Sequence, residues 1–147
     1  MINTKELRLG NLFANIEDDS IYKVTKINED TIEGICINKM GWFGEQHFHL
    51  IEQVLPIKLT EEWLLKFGFN KDYKKGYIGK DFSNQDFVLT EPFVMGDWQK
   101  GYAFEFTTGG WSKYKEFNYV HELQNFYFTL TSEELTQVSE GENKNLV

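Results

Sequence analysis

The sequence predicts an α+β protein built from a small N-terminal SH3-like β-barrel, a short helix, and an antiparallel sheet with a packed C-terminal helix. Three observations carry that expectation. Short β-branched and aromatic runs, broken by Gly, Asn and Asp, fill the stretch before Pro56. A capped helix signal follows at Thr60–Gly68. An apolar repeat of helical period then runs from Val120 to Leu130.

In order, Leu7–Phe13 leads into a polar turn at Glu17-Asp18-Asp19-Ser20. Ile21–Ile27 alternates as a strand, Asn28-Glu29-Asp30 turns, and Thr31–Ile37 is the next strand, with Gly34 as a bulge or bend. Lys39–Glu45 is a loop in which Gly41 and Gly44 flank Trp42-Phe43, and His47–Leu55 returns as a strand. Strands this short, joined by tight turns, suit a small barrel. Thr60 is an N-cap, Glu61 and Glu62 favour the positive helix end, and Leu59 with Leu64 forms a hydrophobic staple. Gly68 stops the helix after Phe67.

A second strand group comprises Tyr77–Phe82, Asp86–Thr90, Tyr102–Thr107 and Trp111–Phe117. Turns fall at Ser83-Asn84-Gln85, around Gly96-Asp97 and Lys100-Gly101, and at Thr108-Gly109-Gly110. Tyr102, Phe104 and Phe106 are expected on the inner face of their strand. Asn118 then caps a helix whose core face is Val120, Leu123, Tyr127 and Leu130, with His121, Glu122, Gln124 and Asn125 in water. Thr131-Ser132-Glu133-Glu134 reads as a capping box for a final turn through Leu135. The expected division is a β-barrel-like segment 1–58, a segment 59–138 holding both helices and the second sheet, and a flexible tail 139–147.

Composition narrows the chemistry. Thirteen Phe, seven Tyr and four Trp promise an aromatic core. One cysteine, Cys36, lies between two isoleucines, so no internal disulfide exists and the thiol reads as a small buried hydrophobe. The net charge is −8, and the only arginine is Arg8. Phosphate backbones need facing cations, so direct nucleic-acid binding is disfavoured, whereas a basic protein surface would be attracted. No apolar run approaches the ~20 residues of a membrane span, which predicts a cytoplasmic protein.

The common catalytic motifs are missing; the expectation is a non-enzymatic protein without cofactors, with a metal-dependent enzyme built on His47 and His49 as a third reading. His47 and His49, with Glu45, share a strand parity and could approach a metal ion, but a solvated strand face explains them more simply. Asn70–Tyr77 mixes Lys71, Lys74 and Lys75 with Tyr73 and Tyr77, and Lys80 extends it. That patch supports a runner-up role in nucleic-acid metabolism. Trp42, Phe43, Trp98 and Trp111 fall in or beside loops, where aromatic side chains serve as interface anchors or as plugs over the barrel ends. With Tyr73 and Tyr77 they form the set of candidate binding residues.

Two segments are more specific. Leu55–Phe69 resembles the block "PIPLTEEWLLKFGF", and Tyr119–Leu135 resembles "VHQLQNLYFALTGEEL". Leu7–Asn11 is similar to a "RIGN" start. All three blocks occur in this order in small phage and prophage proteins, chiefly of Bacteroidota, that have no assigned activity. They cover about a quarter of the chain, with Lys58 for Pro, Glu122 for Gln and Ser132 for Gly. The resemblance implies a mobile-element protein in a bacterial host and no catalytic residue. Combined with the acidic charge, it makes a host or phage protein the expected partner. The most specific case is a basic nucleic-acid-handling protein such as a defence nuclease, inhibited in an anti-CRISPR-like manner.

Overall fold

A computed structural model describes residues 2–74, 77–82, 85–91, 93–94, 97–98, 100–108 and 110–138. Expectations for Lys75, Gly76, the Ser83-Asn84 turn, Gly96, Gly109 and the 139–147 tail lie outside the described residues. The chain is mixed α+β with antiparallel sheets, and it divides into two units.

The first unit comprises Met1–Lys58 and Tyr119–Glu134. Its curled half-barrel sheet contains β1 (Leu12–Asn15), β2 (Ile21–Ile27), β3 (Thr31–Cys36), β4 (Gln46–Leu50) and β5 (Val54–Leu55), in the order β4-β3-β2-β1-β5. A 3-10 turn at Ile51–Gln53 brings β5 back onto β1. Leu7–Phe13 is not one strand. A 3-10 turn at Thr4–Glu6 and a left-handed Gly10 (φ +86°) delay β1 to Leu12. The bulge lies on β2 between Val24 and Lys26, beside Gly34 rather than at it. Gly34 is required for another reason: a Cβ there would stand 2.9 Å from Tyr22 Cβ and 3.1 Å from Phe13 Cε1. The core of this unit joins Phe13, Tyr22, Val24, Ile32, Cys36 and Val54. Buried Cys36 behaves as the small hydrophobe its neighbours suggest.

Helix α2 (Val120–Thr131) also belongs to the first unit, although the sequence reading placed it with the second segment. Gln124 shows why. Its Oε1 accepts from Leu12 N–H (2.9 Å), and its Nε2 donates to Gly10 O (3.3 Å), so a polar side chain completes the backbone bonding of β1. His121 and Gln124 are therefore buried and Leu130 is exposed, a correction to the expected faces of this helix. Tyr119 rather than Asn118 is the N-cap, with its N–H bonded to Glu122 Oε2 at 3.0 Å. Ser132 closes the helix in the left-handed region (φ 59°), and Thr131 Oγ1 accepts from Glu133 N–H (3.1 Å), so no helical turn follows through Leu135. Arg8 ties the unit together. It forms a forked pair with Glu134 (2.5 and 3.0 Å) and lies 4.0 Å above the Phe128 ring. The single arginine is thus committed to the fold.

The second unit comprises Leu59–Asn118 and the chain from Leu135 onward. Helix α1 (Glu61–Lys66) forms as its signals predict. Thr60 Oγ1 accepts from Trp63 N–H, Gly68 is left-handed (φ +79°), and Phe69 N–H returns to Leu64 O (3.0 Å). β6 (Asn70–Lys74), β7 (Tyr77–Phe82) and β8 (Gln85–Leu89) form one sheet, and β9 (Phe93–Val94) with β10 (Asp97–Trp98) forms a minimal hairpin. β11 (Tyr102–Thr108) and β12 (Trp111–Phe117) form another hairpin, bridged to β8 through Thr90 and Ala103. Ala103 is buried and Phe106 exposed, against expectation, whereas Glu105 is exposed as expected and Phe104 packs on buried Phe87 (5.0 Å).

Candidate interaction surface

Between β3 and β4 the chain makes a closed loop. Cys36 N–H bonds to Glu45 O (3.0 Å) and Gly44 N–H to Cys36 O (2.9 Å) across its neck. Inside it, Trp42 N–H bonds to Lys39 O and Glu45 N–H to Trp42 O. Gly41 and Gly44 both hold positive φ (+91° and +82°), which few other residues adopt without strain. This backbone presents Met40 and Phe43 to solvent at 98% and 73% exposure. Trp42 is 38% exposed, with Lys39 Nζ 4.0 Å over its ring and the His47 ring centred 5.2 Å away. Lys39 is in turn held by Asp18 (3.2 Å). The loop is ordered by its own bonds, so its apolar surface is exposed without a large ordering cost on binding.

β4 follows this loop directly. Phe48 is 72% exposed and Leu50 half exposed, while His47 and His49 turn inward. This corrects the solvated-histidine reading. His49, 3% exposed, lies edge-on to Phe13 (5.2 Å) and Tyr22 (4.2 Å). Asn15 Nδ2 donates to its Nδ1 (2.8 Å), which puts the imidazole proton on Nε2. The His47 and His49 ring centroids are 6.4 Å apart, and Glu45 Oε2 is 3.7 Å from His47 Nε2. Among the described residues, no group of three such side chains could hold a metal ion.

The other aromatic candidates separate. Trp111, 78% exposed, stands where β12 begins in the second unit. The Trp98 side chain lies outside the described residues. Tyr73 is occupied: its hydroxyl bonds to both Asp81 and Asp86, which face each other across β7 and β8. Those carboxylates hold its pKa well above the ordinary tyrosine range, and Gly79 leaves room for its ring. Tyr77, with Glu61, Lys71, Thr90, Lys100 and Tyr102, lines an open groove of about 730 Å³ in the second unit. Two lysines and two glutamates line it, Glu91 being the second acid, and Lys71 pairs with Glu61 at 3.8 Å. Lys80 donates to Phe67 O (2.8 Å), capping α1, so it is not a free phosphate ligand. The Lys74 side chain and Lys75 lie outside the described residues.

Burial pushes the His49 and His121 pKa values below the usual imidazole range. Neither ring nitrogen of His121, 2% exposed, has a hydrogen-bond partner, and Glu6 Oε2 is 3.8 Å from its Nε2. Glu6 and Glu122 favour its charged form but do not outweigh burial. With folded values below the unfolded ~6.5, the unfolded chain binds more protons, so stability is complete above that pH and is lost as pH falls through it. His121→Leu is expected to flatten this loss and to gain on the order of 1 kcal/mol at pH 5.5 relative to pH 7.5. Urea unfolding at the two values measures it, and an unchanged pH slope would count against the neutral buried ring.

No known protein family, curated protein sequence or solved structure matches the chain. Among the described residues, no helix is long and apolar enough to cross a membrane.

Proposed function

We propose that this is a non-enzymatic binding protein whose Met40–Phe43 loop, together with Phe48, docks another protein. One observation carries the reading: a self-bonded loop exposes Met40 and Phe43, and the strand that follows it exposes Phe48. Large apolar side chains exposed on an ordered backbone are candidate interaction anchors. The more specific form is an acidic phage- or prophage-encoded inhibitor of a host defence nuclease, anti-CRISPR-like, acting in the bacterial cytoplasm. Its support is the net charge of −8, the engagement of Arg8 within the fold, and the likeness of three sequence blocks to phage proteins. The first unit is best read as an SH3-like barrel. That reading rests on a four-strand meander whose fifth strand returns through a 3-10 turn to the first.

Affinity capture from a bacterial host lysate tests the reading, using tagged wild type and a Trp42→Ala/Phe43→Ala variant side by side. A stoichiometric partner held by wild type and weakened about thirtyfold or more in the variant is expected, since buried aromatic anchors are worth about 2 kcal/mol each. Equal capture by both proteins would remove the loop from the interface. Association that is indifferent to added salt would remove the electrostatic part.

A further inference from the structure

β4 is an edge strand, and its bonding pattern is readable residue by residue. Cys36 N–H bonds to Glu45 O, and Ile51 N–H bonds to Asp30 O, in the antiparallel register that pairs Gly34 with His47 and Ile32 with His49. Backbone groups alternate in direction along an antiparallel strand. Glu45, His47, His49 and Ile51 therefore face β3, and Gln46, Phe48 and Leu50 direct their N–H and C=O groups to the open edge. Gln53 Oε1 accepts from Leu50 N–H (2.9 Å). Among the described residues, no strand pairs with this edge. Natural edges are usually blunted by Lys, Pro or a bulge. β4 carries none of these, and no Lys or Arg occurs from Met40 to Ile57. Acidic side chains instead stand at both ends: Glu45 at one, and Glu52 with the Glu29-Asp30 turn at the other.

We infer that β4 binds an extended segment of the partner protein by strand addition, the segment carrying alternating apolar side chains and Lys or Arg at both ends. This rests on the binding role proposed above and specifies how the partner is recognised. Gln46 and Phe48 supply the ladder bonds. The Phe48 and Leu50 side chains meet the apolar positions, and the terminal carboxylates meet the basic ends. A second copy fits worse. Antiparallel self-pairing centred on Phe48 sets Glu45 opposite Ile51 of the copy and so beside its Glu52, and each copy brings a charge of −8.

The test pans the full chain against a random dodecamer peptide display library. The best peptide is then titrated by calorimetry into wild type, Phe48→Pro and Phe48→Thr. Proline removes an outward N–H while the bonds of His47 and His49 to β3 remain, and threonine keeps that N–H without the ring. Selected peptides are expected to alternate apolar residues between basic ends. Phe48→Pro is expected to weaken binding about tenfold or more, and Phe48→Thr less. The same peptide, N-methylated at alternate residues, is titrated into wild type in both phases, and one phase is expected to lose binding about tenfold. That arm holds even if the proline variant misfolds. No selected peptide, selected peptides without the pattern, or indifference to both methylation phases would overturn the inference. So would a wild-type dimer that Phe48→Pro dissolves. If strand addition fails while the Trp42→Ala/Phe43→Ala variant still loses its partner, the loop docking stands alone. If the peptide binds at the edge and that variant still captures its partner, the loop docking fails instead.

Discussion

Gly34→Val is expected to destabilise the first unit by about 3 kcal/mol, a large fraction of the ~5–15 kcal/mol that holds a domain of ordinary size. Strand propensity argues the other way, since a β-branched residue normally suits a strand better than glycine. Packing decides. The first carbon of any side chain would stand 2.9 Å from Tyr22 Cβ and within 3.2 Å of the Phe13 ring, and both residues are fully enclosed. Neither ring has room to retreat, because interiors are packed at crystal-like density. Gly34→Ala is expected to follow the same sign with a smaller loss. Urea unfolding followed by near-ultraviolet dichroism measures both variants. A midpoint unchanged or raised in Gly34→Val would show that the sheet curls less tightly there than described.

Phe13→Ala is the second large expectation, at about 3–5 kcal/mol. The ring is fully buried, stacks on Tyr22 at a centroid distance of 5.5 Å, and meets His49 edge-on. Its removal leaves a cavity bounded by two aromatic systems that are themselves held by strand pairing, so collapse into the gap is limited. It also opens the neutral His49 ring to water, so the variant is expected to lose part of the acid sensitivity of the parent. Unfolding measured at pH 7.5 and pH 5.5 separates the two effects. A loss below 1 kcal/mol at the higher pH would contradict the assigned core.

Local signals explain which parts of the fold were legible in the sequence. β2 and α1 were set by neighbours in the chain: alternation and turns for one, cap, staple and terminal glycine for the other. The faces of β4 and α2 were not, because both depend on residues far away. Phe48 and Leu50 are the apolar residues of their strand and yet point outward, since Tyr22, Phe13 and Asn15 together seat the His49 imidazole. Gln124 looked wet because it is polar, but the unpaired N–H of Leu12 needed an acceptor. Of the proposed binding surface, the glycine-flanked Trp42-Phe43 pair was visible as a motif. Phe48 became visible only when strand order made β4 an edge.

The first unit is discontinuous, and that has a consequence for how the protein is made. Its five strands leave the ribosome well before α2, because all of Leu59–Asn118 is translated in between. Until α2 arrives, the Leu12 N–H that Gln124 satisfies must be solvated, and the helix-facing side of β1 stays open. The two crossings are tied within each unit: Val120 N–H bonds to Ile57 O in one, and Leu59 N–H bonds to Asn118 O in the other. Once the intervening segment has folded, its ends are already together, and the entropy of closing that long loop no longer opposes docking of the helix. The Leu59–Asn118 segment, bonded end to end, thus turns a distant contact in the chain into a near one.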